Sequence, residues 1–200
     1  MCEKNKPVYS FGWLKSPKDI RDYKYSLLVA PPRTIPTKLS YRSEMGSIFD
    51  QGEVGACVAF ACANMKNWQE WKESGLFIPM SQRCMYSRRP NAGDGMYPID
   101  AMKMLKNFGM CKEELCMGKW YYPTNSDDVC DAPEVISDAA LHKVKSYVQL
   151  ESVTDIKNAL QDGPVTIAVP VFNGWFGTAA VNGHIPMPSS GESMLGGHMI

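Results

Sequence analysis

The chain has 200 residues and a mass of 22.3 kDa, with 44% apolar and 21% charged residues, a composition typical of a folded domain. Its 21 basic and 21 acidic residues cancel, so no net positive field draws it to nucleic acid or anionic lipid. No stretch reaches the roughly 18 to 20 apolar residues of a membrane span, and the first ten residues lack the apolar core of a signal peptide. We therefore expect neither a nucleic-acid nor a membrane partner, and a cytoplasmic location.

In chain order, residues 1–36 come first and are rich in Pro, Lys, Asp and Tyr, which predicts an extended N-terminal arm. Apolar residues at helical spacing after Gly55 predict a long, largely buried helix that ends at Gly75. A second helix is predicted from about Pro98 to Phe108, with a proline near its first turn and a glycine just past its end. Residues 110–133 are predicted to be irregular surface chain.

The residue pattern of the second half is typical of strands. The alternation over His142 to Leu150 predicts a half-buried strand, and Ser152 opens a short helix that runs to Leu160. The β-branched run from Val165 to Val171 predicts a buried strand. A further apolar strand begins at residues 196–200, so we expect the sequence to stop inside a fold.

Helices before strands predict the α+β class. We expect three parts, namely the arm (1–36), a helical half (37–135) and an incomplete β-rich half (136–200).

Seven cysteines are many for a chain without an export signal, and an odd number leaves at least one thiol unpaired. Cys57/Cys62 and Cys111/Cys116 have a wider spacing than the CxxC of zinc sites, and no histidine pair stands at ligand spacing. We therefore expect no metal and no cofactor, and mostly reduced, buried cysteines.

One cysteine stands in a different setting. In the segment from Asp50 to Ala61, a glycine-rich turn leads into a helix whose first turn carries Cys57. Unpaired N–H groups at a helix N-terminus act as partial positive charge and favour the thiolate, the nucleophilic form of cysteine. Upstream, Gln51 offers an amide donor, which together with the backbone N–H of Cys57 could stabilise an oxyanion.

Each candidate residue also has a structural interpretation. Cys57 and Cys62 can be small core residues of the helix, which is the reading we favour for Cys62, and Gln51 can simply hydrogen-bond its own loop. His198 can be a satisfied strand histidine. The remaining histidines, His142 among lysines and His184 in a turn, are expected at the surface.

Taken together, Gln51-Gly52-x-x-Gly55-Ala56-Cys57-x-Ala59-Phe60-Ala61 resembles the active-site block of the papain-like cysteine peptidases. His198 follows Cys57 by 141 residues, within the interval that this family leads one to expect. The stretch from Gly93 to Met102 resembles the family's glycine-rich substrate wall, and that from Ile156 to Val165 the lead into its second domain. The arm looks like the short leaders of prokaryotic and viral members.

The resemblance implies a two-part fold with a groove for an extended peptide. It implies that the Cys57 thiolate attacks the peptide carbonyl and that Gln51 and the Cys57 N–H stabilise the oxyanion. It also implies that protonated His198 donates a proton to the leaving amine and that the neutral ring then activates water. Gly95 and Gly197 are the expected substrate contacts. The asparagine that orients the histidine in this family would lie beyond Ile200, so we expect a sequence that ends after the catalytic histidine.

Two departures from the family pattern matter. Val54 replaces a cysteine of secreted members, and no cysteine stands near Gly93, where its disulfide partner would be expected. Val58 stands where most members have tryptophan. These departures keep an alternative open, in which the chain is a catalytically inactive relative that binds peptides.

Overall fold

A computed structural model describes residues 10–27, 34–116, 129–176 and 183–200. These residues contain five α-helices and two strands: α1 (Cys57–Ser74), α2 (Gln82–Tyr86), α3 (Pro98–Asn107), α4 (Pro133–Leu141), α5 (Val153–Ala159), β1 (Ala168–Phe172) and β2 (Met194–Met199). Short 3-10 helices span Tyr25–Leu27, Glu113–Cys116 and Asn173–Phe176. The α+β class is confirmed, and the division into three parts stays a prediction.

Helix α1 forms the centre of the core. Its first seven residues are all buried, because small and branched apolar side chains let neighbouring segments pack closely around the helix. Gly75 ends it in the left-handed conformation at φ 74°, and its N–H bonds the Trp71 carbonyl at 2.8 Å. The predicted long helix is confirmed, with Cys57 as its first residue.

The other predicted helices are also present. Helix α3 has Pro98 in its first turn and is followed by Gly109 at φ 97°, as the sequence pattern predicts. Helix α5 starts with a full capping box, in which the Ser152 and Asp155 side chains each accept a backbone N–H of the other residue.

The strand predicted over His142 to Leu150 is wrong. Helix α4 precedes this segment and His142 caps its C-terminus, while Val144 donates its N–H to the Leu105 carbonyl rather than to a sheet. The alternation therefore reflects single side chains that pack against the helical half. His142 is also buried rather than at the surface, with Nδ1 lying 3.0 Å from Glu70 Oε1.

Strands β1 and β2 form an antiparallel pair in which Val169 lies opposite His198. The first strand begins later than the predicted Val165, although Ile167 and Ile200 still exchange two backbone hydrogen bonds beyond the strand ends. Helix α1 packs against β2. This contact brings the N-terminus of α1 to the strand that carries His198.

The cysteines divide into two groups. Four of them are free and buried, as expected, namely Cys57, Cys62, Cys84 and Cys111. The expectation of reduced cysteines fails at Cys116 and Cys130, which form a disulfide across a separation of 14 residues. Cys2 lies outside the described residues.

In the described ranges, no helix combines the length and the apolar character needed to cross a bilayer. The same part of the chain contains no group of three or more metal-ligating side chains that could hold an ion.

Candidate active site

Cys57 begins α1 directly after a tight glycine-containing turn. Gly55 and Ala56 are fully buried in this turn, and the Cys57 side chain is only 1% exposed. The helix supplies no side-chain cap at Ala56, so the N–H groups of its first turn remain available to the thiol. Sequence reasoning places the cysteine correctly at the helix mouth.

The electrostatics of Cys57 differ from the expectation. Burial raises the pKa of the thiol above its ordinary value of 9.0, although backbone N–H groups of Met199, Gly12, Val58 and Cys57 itself act in the opposite direction. The helix N-terminus thus favours the thiolate as predicted, but desolvation outweighs it. Burial therefore favours the protonated form of the Cys57 thiol.

His198 lies on β2, next to Met199, whose N–H faces the Cys57 thiol. The N-terminus of α1 and strand β2 therefore lie against each other. Burial lowers the pKa of the His198 imidazole below 6.5, which favours the neutral ring. Among the described residues no hydrogen bond joins the Cys57 thiol to the His198 imidazole.

Gln51 is engaged with backbone carbonyls on two sides. Its Nε2 donates to Val54 O at 2.8 Å, within its own loop, and to Ser10 O at 3.2 Å, in the N-terminal arm. The amide is therefore a donor to a peptide carbonyl beside the Cys57 turn, which is the chemistry that an oxyanion donor needs. The structural interpretation, a bond within the loop, holds at the same time.

The N-terminal arm runs through the space between the two halves. Trp13 donates its N–H to Gly197 O at 3.2 Å on one side. On the other side, Leu14 N bonds Met96 O at 3.1 Å and Met96 N bonds Gly12 O at 2.8 Å, which makes the arm run parallel to the wall segment. The arm thus sits in the predicted groove as an extended peptide held by backbone bonds on both sides.

The two glycines expected to contact substrate both contact the arm. Gly95 has φ 84°, and a Cβ there would lie 2.9 Å from Gly12 O. A Cβ at Gly197 would overlap the Trp13 indole, and one at Gly12 would overlap the Gly55 carbonyl. The groove therefore uses residues without side chains where a peptide backbone passes closely.

A cavity of about 860 Å³ lies beside the arm. Gln51 and His198 line it together with apolar side chains of α1, β1 and the 3-10 helix after β1, namely Phe60, Met65, Val169, Val171, Trp175 and Phe176. Cys57 is not among the lining residues. The cavity could therefore hold an apolar group next to His198, whereas the Cys57 thiol is not exposed to it.

Sequence reasoning missed Asp94 and Tyr86. The Asp94 carboxylate accepts the Gly55 N–H at 3.2 Å and the Tyr86 hydroxyl at 2.5 Å. A single acid within Gly93-Asp94-Gly95 carries no pattern that distinguishes it from a turn residue. The contacts of Asp94 become visible only in the folded chain, where α2 packs beside the Cys57 turn.

Comparison with known proteins locates this arrangement in a family. A family model described as "Papain family cysteine protease" matches residues 35–181, a range that contains Gln51 and Cys57 and ends before His198. No curated protein matches the chain in sequence.

Solved structures share the fold. Xylellain, a cysteine protease from Xylella fastidiosa, is 22% identical with a TM-score of 0.73, covering 100% of this chain and 81% of its own. The proCathepsin B S9 from Trypanosoma congolense is 17% identical with a TM-score of 0.67, covering 96% of this chain and 69% of its own. Digestive procathepsin L 3 of Tenebrio molitor larval midgut is 16% identical with a TM-score of 0.58, over 82% of this chain but only 50% of that protein.

Proposed function

Because the chain belongs to the papain family of cysteine proteases, we propose that it hydrolyses peptide bonds with Cys57 as the nucleophile and His198 as its acid and base. The observation that carries this proposal is the packing of α1 against β2, the strand that contains His198. The backbone N–H of Met199 on this strand reaches the Cys57 thiol. The substrate is an extended peptide, held between Met96 and Gly197 as the arm is held now.

The chemical steps follow from the residues at the site. Once the thiol passes its proton to His198, the thiolate attacks a peptide carbonyl and forms a tetrahedral intermediate. Gln51 Nε2 and the backbone N–H of Cys57 stabilise the oxyanion, each donor contributing about 3 kcal/mol when preorganised. The imidazolium then protonates the leaving amine, and the neutral ring activates water to hydrolyse the thioester.

We further infer that the arm keeps the enzyme latent. The backbone group of the arm that faces the Cys57 sulfur is the Gly12 N–H, not a carbonyl carbon, so the arm offers the nucleophile no bond to attack. The Ser10 carbonyl occupies the Gln51 amide. Peptide substrates must therefore displace residues 10–14 before they can react.

The test is hydrolysis of fluorogenic peptides by the intact chain and by three variants. Cys57→Ser and His198→Ala should each lower kcat by at least about a thousandfold, whereas Cys62→Ser, five residues along the same helix and equally buried, should retain activity. Peptide binding without turnover, unchanged by Cys57→Ser, would instead identify a peptide-binding protein without catalysis and contradict the proposal.

A further inference from the structure

We propose that Asp94 is a positioning residue that fixes the turn in front of Cys57, an inference that rests on the proposed function. Its Oδ1 accepts the backbone N–H of Gly55 at 3.2 Å and the Tyr86 hydroxyl at 2.5 Å. The Tyr86 oxygen in turn accepts the Gly95 N–H at 3.0 Å. One carboxylate thereby connects α2, the substrate wall and the turn that leads into α1.

The contact joins an exposed residue, Asp94, to the buried backbone of Gly55. A Cβ at Gly55 would lie within 2.6 Å of the carboxylate, so the acid occupies the space that a side chain at residue 55 would need. Gly55 is buried, and an unpaired backbone N–H in such a place is strongly unfavourable. Asp94 is the acceptor that satisfies it and so selects one orientation of the peptide unit.

The orientation of the Gly55 peptide unit affects the Cys57 sulfur, because only two residues of backbone separate them. The N–H groups of Cys57 and Val58 lie against the Cys57 thiol and favour its ionisation, and both follow shortly after Gly55, which ends the turn. A turn released from Asp94 would no longer direct these dipoles at the sulfur. Asp94 therefore acts on the nucleophile without touching it.

The hydrogen bonds of Asp94 connect two segments that no disulfide joins. Neither Val54 nor the stretch around Gly93 contains a cysteine, so no disulfide joins this turn to the glycine-rich wall. Hydrogen bonds from Gly55 and Tyr86 to Asp94 make the same connection in this chain. They require no oxidising compartment.

A second contact of the same carboxylate must be separated in any test. Asp94 Oδ2 accepts the Ser10 hydroxyl of the arm at 3.2 Å, so removal of the acid also loosens the arm. Ser10→Ala removes this arm contact alone. Asp94→Asn keeps one carbonyl oxygen for Gly55 and Tyr86 and gives Ser10 an amide to bond, whereas Asp94→Ala removes both functions.

The decisive measurement is the pH profile of Cys57 alkylation by iodoacetamide, with the modified residue identified by mass spectrometry, alongside kcat and KM on a short peptide. Asp94→Ala should move the alkylation midpoint upward and lower kcat about tenfold with little change in KM, because the buried Gly55 N–H loses its acceptor. Asp94→Asn should restore both values to within about threefold. Ser10→Ala should alkylate at least as fast as the parent.

The inference is overturned if Asp94→Ala leaves the alkylation midpoint and kcat unchanged, or if only KM changes. It is equally overturned if Asp94→Asn is as impaired as Asp94→Ala. Should Asp94→Ala fail to fold, Tyr86→Phe, which removes one donor to the carboxylate, must show the same upward shift to a smaller extent. Because alkylation needs no peptide turnover, this profile decides the role of Asp94 even if the intact chain hydrolyses no peptide.

Discussion

Trp13 of the arm donates its backbone N–H to the carbonyl of Gly197, and its indole fills the space above that glycine. Since Gly197 directly precedes His198, the arm is fixed at the side of the groove that carries the proposed acid and base. The indole also packs against the core cluster around α1.

The first prediction concerns this anchor. Burying an aromatic side chain stabilises by roughly 2 kcal/mol, so Trp13→Ala should release the arm and raise peptide turnover by about tenfold or more. Ile20→Ala is the matched control, because Ile20 is 98% exposed. Turnover that is equal in Trp13→Ala and the parent would show that the arm does not limit access.

A second prediction concerns pH. Burial raises the pKa of Cys57 above 9.0 and lowers the pKa of His198 below 6.5, so both shifts favour the neutral forms of the two groups. In the intact chain, the rate of Cys57 alkylation should therefore still be rising at pH 9.0, with its midpoint above that value. Release of the arm by Trp13→Ala hydrates the thiol and should move this midpoint downward.

Measurement of alkylation rates between pH 6 and 11, with Cys57 quantified by mass spectrometry, checks this prediction. An alkylation midpoint below 9.0 in the intact chain would contradict it.

His198 adds an effect of pH on the stability of the fold, and the sign of this effect is known. Because its folded pKa is lowered, the buried neutral ring opposes protonation, and stability is lost as the pH falls below the ordinary value of 6.5.

The third prediction concerns a buried ion network behind α1. Lys66 Nζ lies 2.5 Å from Glu70 Oε1, and His142 Nδ1 lies 3.0 Å from the same oxygen, with all three side chains at most 10% exposed. Removing one partner from such a pair leaves a buried charge uncompensated. Lys66→Met should lower the free energy of unfolding by about 3 kcal/mol at pH 7.

The pH dependence of this network also has a definite sign. Burial raises the pKa of Glu70, but hydrogen bonds from Lys66 and His142 outweigh it and hold the pKa below 4.5. The charged carboxylate thus contributes stability above 4.5 that is lost as the pH falls through the lowered pKa. Urea unfolding at a series of pH values should show this loss in the parent but not in Glu70→Gln, and equal slopes would contradict it.

Local patterns in the sequence predict the helices that position the nucleophile. Gly75 and Pro98 mark helix ends through backbone conformations that few other residues adopt. The pairing of Cys57 with His198 comes only from the family resemblance, and it stays a prediction. The assignment of catalytic roles to these residues stays a proposal.

Other features depend on long-range contacts that no local pattern encodes. Helix α4 was missed because the interpretation after Pro133 followed the alternation of residues 142–150, which packs as irregular chain. The raised pKa of Cys57 was missed because it depends on burial of the thiol in the core cluster, which only the folded chain shows. Likewise, the contacts of Asp94 exist only once α2 packs beside the Cys57 turn.

The most direct test of the central claim is labelling of the intact chain with a peptidyl epoxide, followed by mass spectrometric identification of the modified residue. The account predicts one adduct per chain, on Cys57, formed faster in Trp13→Ala and lost in Cys57→Ser. Adducts distributed over Cys62, Cys84 and Cys111, or no adduct even when the arm is released, would contradict it.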